Sequence, residues 1–420
     1  MPSTDGSREF EIVLFGATGF TGRLVAECLI ERHGVGGDLR WALAGRNAGK
    51  LERVRRELLA GSGAAEDALP ILIADGDDAP VLESLAQRTK VVCTTVGPYA
   101  KHGSKLVAAC AHNGTHVCDL TGEVPWMRRM IDAHAAEAEA SGARIVHTCG
   151  FDSIPSDLGV FFLQREVEAR DGAPSPHVRG RVKGFSGAAS GGTIASMLNM
   201  LDEAEHDPAV RRLLVDPYAL NPEGRRDGPD ARDAMTPVYD EAFEQWTAPF
   251  VMAGINTRVV RRSNALLGDR YGSGFRYDEA MLTGPGIGGW LKAVGTTGGL
   301  GAVMGLGAIG PLRRALTRFL PAPGDGPSEE QRMSGWFDLR FHAEPGRAGA
   351  APLRAKVTGD RDPGYGSTSR MLAESALCLA RDPLPAGGGF FTPASAMGEP
   401  LLKRLEEHAG LSFEVIPLEG

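Results

Sequence analysis

Three glycines at a spacing of three, in the stretch IVLFGATGFTG at residues 12–22, are the residues with the clearest chemical meaning. Gly16 lets the chain turn sharply out of a strand, Gly19 lets the backbone approach a ligand, and Gly22 lets the following helix pack tightly on the sheet. The N-terminus of that helix offers N–H groups and a positive dipole end to phosphates. This pattern predicts a dinucleotide-binding loop. The other loop residues predicted to contact the cofactor are Thr18, Phe20 and Thr21.

The second apolar run ends in a basic residue rather than an acidic one. It closes with Ala44, Gly45 and Arg46, whereas NAD-binding folds usually place a carboxylate here to hold the ribose 2′-hydroxyl. A guanidinium at this point suits a 2′-phosphate, so NADPH is the predicted cofactor; the alternative is a solvated surface arginine. Asp75, at the end of the third run, is predicted to approach the adenine or else to form an ordinary turn.

The fourth and fifth apolar runs end in turns that suit the nicotinamide end of the cofactor. Glycine and proline after a strand leave a backbone shelf on which a ribose and nicotinamide can rest. The cofactor-binding residues predicted at these two turns are Val96, Gly97, Pro98, Thr121 and Gly122. Tyr99 follows directly and is the first candidate for a catalytic proton donor, with packing on the nicotinamide ring as the alternative. Lys183 is the second candidate.

A further polar turn, GFDSIPSD at residues 150–157, follows the sixth apolar run. Asp152 and Ser153 are expected near the cofactor, but either could instead cap the helix that starts near Pro155.

Another group resembles a set of metal ligands and consists of Cys110, His112, His116 and Cys118. Its spacing crosses a helix end, a glycine turn and a strand start, so the four side chains are not expected to converge and no metal site is predicted.

These turns need elements that bring them to one edge of a sheet. Six short apolar runs, typical of strands buried on both faces, alternate with helical patterns across the first part of the chain. Ligands of such doubly wound sheets bind at the carboxyl ends of the strands. The sequence therefore predicts an α/β fold, with a Rossmann-type doubly wound parallel sheet in residues 1–150.

The pattern changes beyond residue 150. HVRGRVKGF, GWFDLRFHAE and LRAKVTGD alternate polar and apolar residues, as strands with one solvated face do. They predict a second, smaller α+β domain over residues 151–385. Residues 386–420 contain an amphipathic helix that is predicted to return to the Rossmann domain.

An apolar, glycine-rich stretch at residues 283–311 lies within the second domain. From residue 293 onward it carries no charge and just reaches the length of a membrane span, but its glycines lower both hydrophobicity and helical preference. Three interpretations stay open: a spanning helix, a peripheral lipid-contacting element, or an internal core or dimer element. Basic residues flank it, namely Lys292, Arg313, Arg314 and Arg318.

Composition limits the classes of function. The formal charge of -8 over 420 residues argues against general nucleic-acid binding, which needs clustered Lys and Arg. Six cysteines, without a charged-then-apolar leader, do not indicate a secreted disulfide framework. We therefore expect a cytoplasmic protein, with the inner face of the plasma membrane as a further location if the glycine-rich stretch contacts lipid.

Taken together, the motifs resemble those of the saccharopine dehydrogenase-like oxidoreductases. They are GATGFTG, LAGRN, TTVGPY, CDLTGE, GFDSIPSDLG, SGGT, NTRVVRRSNAL and TPASAMG. Within that family the chain is similar to the mycobacterial trans-acting enoyl reductases of phthiocerol-type lipid synthesis. The resemblance covers nearly the whole chain and implies a Rossmann domain, a smaller α+β domain and a nicotinamide cofactor. It also implies reduction of an enoyl double bond on an acyl or polyketide lipid intermediate carried by a polyketide synthase.

The resemblance supplies no established catalytic residue and leaves two alternatives to an enoyl reductase. One is a saccharopine-type enzyme that cleaves a C–N bond of an amino acid, for which the Arg-rich segment 258–264 could supply a charged pocket. The other is a dinucleotide-binding scaffold without turnover. In the preferred mechanism, NADPH delivers hydride to the β-carbon of an α,β-unsaturated thioester, and a donor then protonates the α-carbon.

Overall fold

The computed structural model describes residues 8–418, apart from residues 62, 188–189, 309, 311–325 and 386. The three flanking arginines named above, Arg313, Arg314 and Arg318, lie outside the described residues. The described strands, in chain order, are β1 (Phe10–Phe15), β2 (Trp41–Gly45), β3 (Ile71–Ile73), β4 (Thr89–Thr94), β5 (His116–Asp119), β6 (Arg144–Val146), β7 (His177–Ser186), β8 (Val238–Asp240), β9 (Gln245–Ala248), β10 (Arg276–Gly284), β11 (Trp336–Ala343), β12 (Leu353–Gly359), β13 (Gly389–Phe391) and β14 (Leu411–Ile416).

Helices connect these strands. In chain order they are α1 (Phe20–His33), α2 (Ala48–Leu59), α3 (Ala79–Arg88), α4 (Tyr99–His102), α5 (Ser104–Asn113), α6 (Val124–Ser141), α7 (Ile154–Asp171), α8 (Gly191–His206), α9 (Pro208–Val215), α10 (Ala253–Leu266), α11 (Gly286–Ala308), α12 (Glu329–Ser334), α13 (Thr368–Arg381) and α14 (Pro393–His408). A 3₁₀ turn spans Glu66–Ala68 and a π-helical turn spans Pro363–Ser367.

The first sheet has seven parallel strands in the order β13-β6-β5-β4-β1-β2-β3. Ile12, Val13 and Leu14 of β1 are fully buried, because helices cover both faces of the sheet. The predicted Rossmann-type fold is confirmed, and all six strands read from the sequence are present. The strand order reverses between β1 and β4, which is where ligands bind in such sheets.

One strand and one helix of this layer come from the far end of the chain. β13 extends the sheet beyond β6, pairing Phe390 with Ile145. Helix α13 packs against α1 and β4, and its residues Met371 and Leu377 are buried in the same core as Leu14. The last part of the chain therefore contributes directly to the Rossmann-type layer.

The second sheet is mixed and has the order β14-β12-β11-β7-β10-β9-β8. Helix α7 leaves the edge of the first sheet and lies across β11 and β12 of the second. A Cβ on Gly159 of α7 would come within 2.6 Å of the Phe341 ring on β11, so the backbone of the helix lies directly against that ring. The predicted second α+β domain is confirmed by this sheet and its helices.

The glycine-rich stretch forms the end of β10 and helix α11, which lies on the surface. Gly289 and Ala293 face inward, where α11 packs on β9 and β10. The opposite face exposes Ile287, Trp290 and Leu291, which are 79%, 42% and 58% accessible. Among the residues that the structure describes, no helix is both long enough and apolar enough to cross a membrane.

Candidate functional site

The turn between β1 and α1 is built so that no side chain fits at two of its glycines. Gly16 has a φ of +99°, and a Cβ there would lie 2.7 Å from Val96 Cγ2. A Cβ on Gly22 would overlap the carbonyl oxygen of Gly16 and lie 2.9 Å from Thr95 Oγ1. Helix α1 therefore starts closer to the sheet than would be possible if either position carried a side chain.

The first turn of α1 has no side-chain cap. Its N-cap is Gly19, which makes no capping hydrogen bond, whereas α2 and α3 are capped by Asn47 and Asp78. An uncapped N-terminus leaves backbone N–H groups for a phosphate. The side chains of Thr18, Phe20 and Thr21 are half-buried around it. These residues fit a dinucleotide pyrophosphate.

Arg46 and Asp75 lie at the next two strand ends. Arg46 is exposed directly after β2. Asp75 is exposed after β3, and its Oδ1 accepts a hydrogen bond from Asp77 N at 3.0 Å, which is a turn-forming contact. Their contacts with the 2′-phosphate and adenine remain predictions.

The turns after β4 and β5 are joined by a buried carboxylate that the sequence did not single out. Glu123, 1% exposed, accepts hydrogen bonds from Tyr99 N and Ala100 N, each at 2.9 Å. It also accepts one from Ser196 Oγ of α8 at 2.6 Å. Glu123 therefore holds the turn formed by residues 96–98 against Thr121 and Gly122, and connects both to the second domain.

Tyr99 lies beneath these turns, and its hydroxyl group is hydrogen-bonded to the backbone. The hydroxyl donates to Thr94 O at 3.2 Å and accepts from Leu120 N at 3.1 Å. Burial, together with the nearby Asp119 carboxylate, raises the pKa of Tyr99 well above its usual value. The ring is 5% exposed. The hydroxyl is therefore hydrogen-bonded within the fold, and both the proton-donor role and packing on the nicotinamide ring remain predictions.

A buried aspartate–histidine pair supports the same turns from below. Asp119 Oδ2 lies 2.6 Å from His147 Nδ1, and the two residues are almost inaccessible. The other oxygen, Oδ1, accepts a hydrogen bond from Thr121 N at 3.0 Å. The pair thus ties the end of β6 to the turn that carries Thr121 and Gly122.

Asp152 is the titratable residue that faces this region from the turn after β6. The residue as a whole is half-buried, but its carboxyl group is surrounded by protein atoms. Burial, reinforced by the Asp119 carboxylate, raises the pKa of Asp152 to about 7. Neither Asp152 nor Ser153 caps helix α7 through its side chain. Within the described chain, no hydrogen bond reaches the Asp152 carboxyl group.

Lys183 is placed elsewhere. It projects from β7 into a cavity of about 500 Å³ on the second sheet, and its Nζ lies 3.9 Å from Asp338 Oδ2. Three other basic residues line the cavity, namely Lys292, Arg340 and Arg354. None of the cavity-lining residues belongs to the turns at the carboxyl edge of the first sheet. The structure therefore does not bring Lys183 together with Tyr99, and its catalytic role remains a prediction.

The Arg-rich segment 258–264 forms part of α10 and is turned inward. Arg258 pairs with Asp233 at 2.8 Å, and Arg261 pairs with Asp230 at 2.5 Å. Arg262 donates to two backbone carbonyls, and burial lowers its pKa to about 9. Because these guanidinium groups are occupied within the fold, they do not form the charged pocket that an amino-acid substrate would need.

The suggested metal-ligand group is dispersed among other contacts. His112 Nδ1 lies 2.8 Å from Glu137, and His116 Nδ1 accepts a hydrogen bond from Arg144 N at 3.1 Å. Cys110 and Cys118 are buried thiols whose pKa is raised by burial. The one cluster of metal-type ligands found in the described part of the chain is elsewhere, at the exposed residues Asp202, Glu205 and His206.

Comparison with known proteins identifies the family. The saccharopine dehydrogenase NADP binding domain matches residues 12–146, which contain the first five of the turns described above. A protein of Mycobacterium tuberculosis (strain ATCC 25618 / H37Rv), named as a candidate trans-acting enoyl reductase, is 44% identical over 98% of this chain and 98% of its own. The trans-acting enoyl reductase of Mycobacterium ulcerans (strain Agy99) is 41% identical over 96% of this chain and 97% of its own. This chain belongs to the trans-acting enoyl reductase family.

The family assignment agrees with the fold and the cofactor class. Apo saccharopine dehydrogenase (L-Glu forming) from Saccharomyces cerevisiae has the same fold, with a TM-score of 0.50 over 97% of this chain and 99% of that one, at 14% identity. The match of residues 12–146 to the saccharopine dehydrogenase NADP binding domain shows that this chain contains an NADP(H)-binding domain. The predictions of a saccharopine dehydrogenase-like family and an NADP-dependent oxidoreductase are confirmed.

Proposed function

We propose that the protein is an NADPH-dependent trans-acting enoyl reductase that reduces a carbon–carbon double bond of an acyl or polyketide intermediate carried by a polyketide synthase. The observation that carries this proposal is the similarity, over almost the full length, to proteins that are named for this activity. The polar turns at the carboxyl edge of the first sheet supply a place for the reaction.

Different residues of the chain bind NADPH and transfer the proton. NADPH, when bound, supplies the hydride that adds to the β-carbon of the unsaturated thioester. The glycine loop holds the pyrophosphate, and the turns joined by Glu123 support the nicotinamide end. Since Glu123 also bonds to Ser196 of the second domain, these contacts fix the turns relative to helix α8.

Asp152 is our proposed proton donor. Its neutral form gives the proton to the α-carbon as the electron pair of the former double bond forms the new C–H bond, and the carboxylate then regains a proton from water. Three observations support this role: the position of Asp152 after β6, the lack of a hydrogen-bond partner in the described chain, and the pKa raised to about 7. Tyr99 and Lys183 are the other candidates.

NADPH oxidation measured with a crotonyl-type thioester, on coenzyme A and on a carrier domain, tests the proposed function. We expect loss of NADPH absorbance together with formation of the saturated thioester. Tight NADPH binding without oxidation by any enoyl thioester would instead support the scaffold alternative. Oxidation of saccharopine would support the amino-acid alternative.

Arg46 is proposed to bind the 2′-phosphate. We expect Arg46→Ser to raise the Kd for NADPH by about 10- to 100-fold, since a charge-assisted hydrogen-bond pair is lost, and to leave the Kd for NADH nearly unchanged. Titration calorimetry with both nucleotides measures this. Arg88→Ser is a suitable control, because Arg88 is paired with Glu9 at the opposite edge of the sheet. Equal weakening of NADPH and NADH binding by Arg46→Ser would contradict the assignment.

The exposed face of α11 is proposed to contact lipid, either at the inner face of the plasma membrane or in the acyl substrate. Trp290 and Leu291 are exposed there beside Lys292, and α11 carries no acidic residue. We expect the double variant Trp290→Ser, Leu291→Ser to reduce cosedimentation with phosphatidylglycerol vesicles by at least about fivefold. Val415→Ser, which removes an equally exposed apolar side chain from β14, should have no effect. A change in oligomeric state alone would indicate a homodimer surface instead.

A further inference from the structure

The first residue of α1 is covered by a part of the chain that is far away in sequence. The Phe20 ring packs edge-on against Tyr365, with ring centroids 4.9 Å apart. A Cβ on Gly326 would overlap the same ring, so the backbone passes in direct contact with it. The Cζ atom of Arg332 lies 5.4 Å from the centroid of the Phe20 ring. Segment 326–335 therefore lies over the N-terminus of the phosphate-binding helix.

Arg332 is held in this position by its backbone and its surroundings. Its carbonyl oxygen accepts a hydrogen bond from Asp362 N at 3.1 Å, and one guanidinium nitrogen donates to Pro327 O at 3.0 Å. Helix α12, which carries Arg332, begins with a capping box formed by Ser328 and Gln331. The side chain is half-buried, so a limited set of conformations is open to it.

Arg332 has an acidic neighbour, Asp362, whose pKa is raised by burial and lowered in part by the charge of Arg332, but the two side chains do not form a direct ion pair. No salt bridge joins it to an acidic residue within the described chain. The nearby Asp362 carboxylate is occupied by the backbone, since it accepts hydrogen bonds from Tyr365 N at 3.0 Å and Gly366 N at 2.8 Å. A half-buried guanidinium with free N–H donors is thus placed next to an uncapped helix N-terminus.

We propose that Arg332 binds the pyrophosphate of the dinucleotide, opposite the glycine loop. The ligand class is a nucleoside diphosphate, whose oxygens match the planar fork of donors of an arginine. The helix N-terminus supplies N–H groups from one side, and Arg332 supplies the cation that the glycine loop lacks. The second half of the chain thereby completes the cofactor site. This role rests on NADP(H) binding and not on enoyl reduction.

A comparison of two nucleotides separates this role from that of Arg46. NADPH and NADH share the pyrophosphate and differ in the 2′-phosphate. We expect Arg332→Gln to raise the Kd for both by about 10- to 100-fold, as expected for loss of a charge-assisted contact. Arg332→Lys should recover part of the loss, because it keeps the charge without the fork. Arg88→Gln is the control, and NADPH fluorescence or calorimetry is the readout.

A second measurement uses the unaltered protein, in case a variant does not fold. Phenylglyoxal modifies accessible arginines, and peptide mass analysis reports the extent at Arg332. We expect ADP-ribose, which has a pyrophosphate but no nicotinamide or 2′-phosphate, to protect Arg332 while leaving Arg88 reactive. Unchanged Kd values for both nucleotides, weakening of NADPH alone, or modification of Arg332 that ADP-ribose does not slow would each overturn the proposal. Absence of enoyl reduction would not affect these measurements.

Discussion

Asp152→Asn is expected to lower kcat for enoyl-thioester reduction by about 100- to 1000-fold while leaving the Kd for NADPH unchanged. A positioned general acid contributes a factor of this size, and asparagine has nearly the same shape but cannot give up a proton to carbon. Stopped-flow measurement of NADPH oxidation, with the affinity determined separately by calorimetry, separates the two quantities.

The pH dependence of the rate provides an independent check on Asp152. The acid form is the active form, and burial raises the pKa of Asp152 to about 7. The wild-type kcat should therefore be constant below about pH 6 and fall about tenfold per pH unit well above pH 7. The residual rate of Asp152→Asn should lack this decline. A variant that keeps the wild-type rate within threefold, or the wild-type pH profile, would contradict the role.

Stability measurements distinguish a chemical effect from unfolding. Because the folded-state pKa of Asp152 is raised above its unfolded value, the stability that it contributes is fully present below pH 4 and is lost as the pH rises through about 7. Asp152→Asn should therefore melt at the same temperature as the wild type or higher at pH 8. Asp227→Asn, at an exposed loop position, is a suitable control and should leave both rate and stability unchanged.

Gly22→Val is expected to abolish measurable cofactor binding, with a rise of more than about 100-fold in the Kd for NADPH. The new Cβ would overlap Gly16 O and approach Thr95 Oγ1 to 2.9 Å. Since the obstacle is backbone, relief requires α1 to move away from β1, which displaces the N–H groups that bind phosphate. We also expect a loss of about 1 to 3 kcal/mol in the free energy of unfolding, as for overpacking of a tight contact.

A matched glycine shows whether this effect is specific. Gly254 lies in the first turn of α10 and would meet nothing within 4 Å on gaining a Cβ, so Gly254→Val should bind NADPH normally. Calorimetry and thermal denaturation of both variants provide the comparison. If Gly22→Val binds NADPH within fivefold of the wild type, the glycine loop is not the pyrophosphate site.

The sequence by itself determined the features that depend on short-range patterns. Buried parallel strands appear as unbroken apolar runs because both of their faces are covered, and Gly16 and Gly22 are required by local geometry that no other residue allows. For these reasons the Rossmann-type sheet, the glycine loop and the cofactor class were predictable without coordinates.

Only the tertiary structure decided the environment of individual polar groups. Asp152 resembles a helix-capping residue in sequence, and its raised pKa comes from burial beside Asp119, which belongs to another strand. The arginines of segment 258–264 resemble a substrate pocket, yet Asp230 and Asp233 pair with two of them, and Arg262 donates to the carbonyl oxygen of Phe390. Arg332 is placed next to the glycine loop by its contact with Phe20, which is more than 300 positions away in sequence. Burial and charge pairing depend on residues distant in sequence, and the sequence pattern around each residue does not reveal which distant groups will surround it.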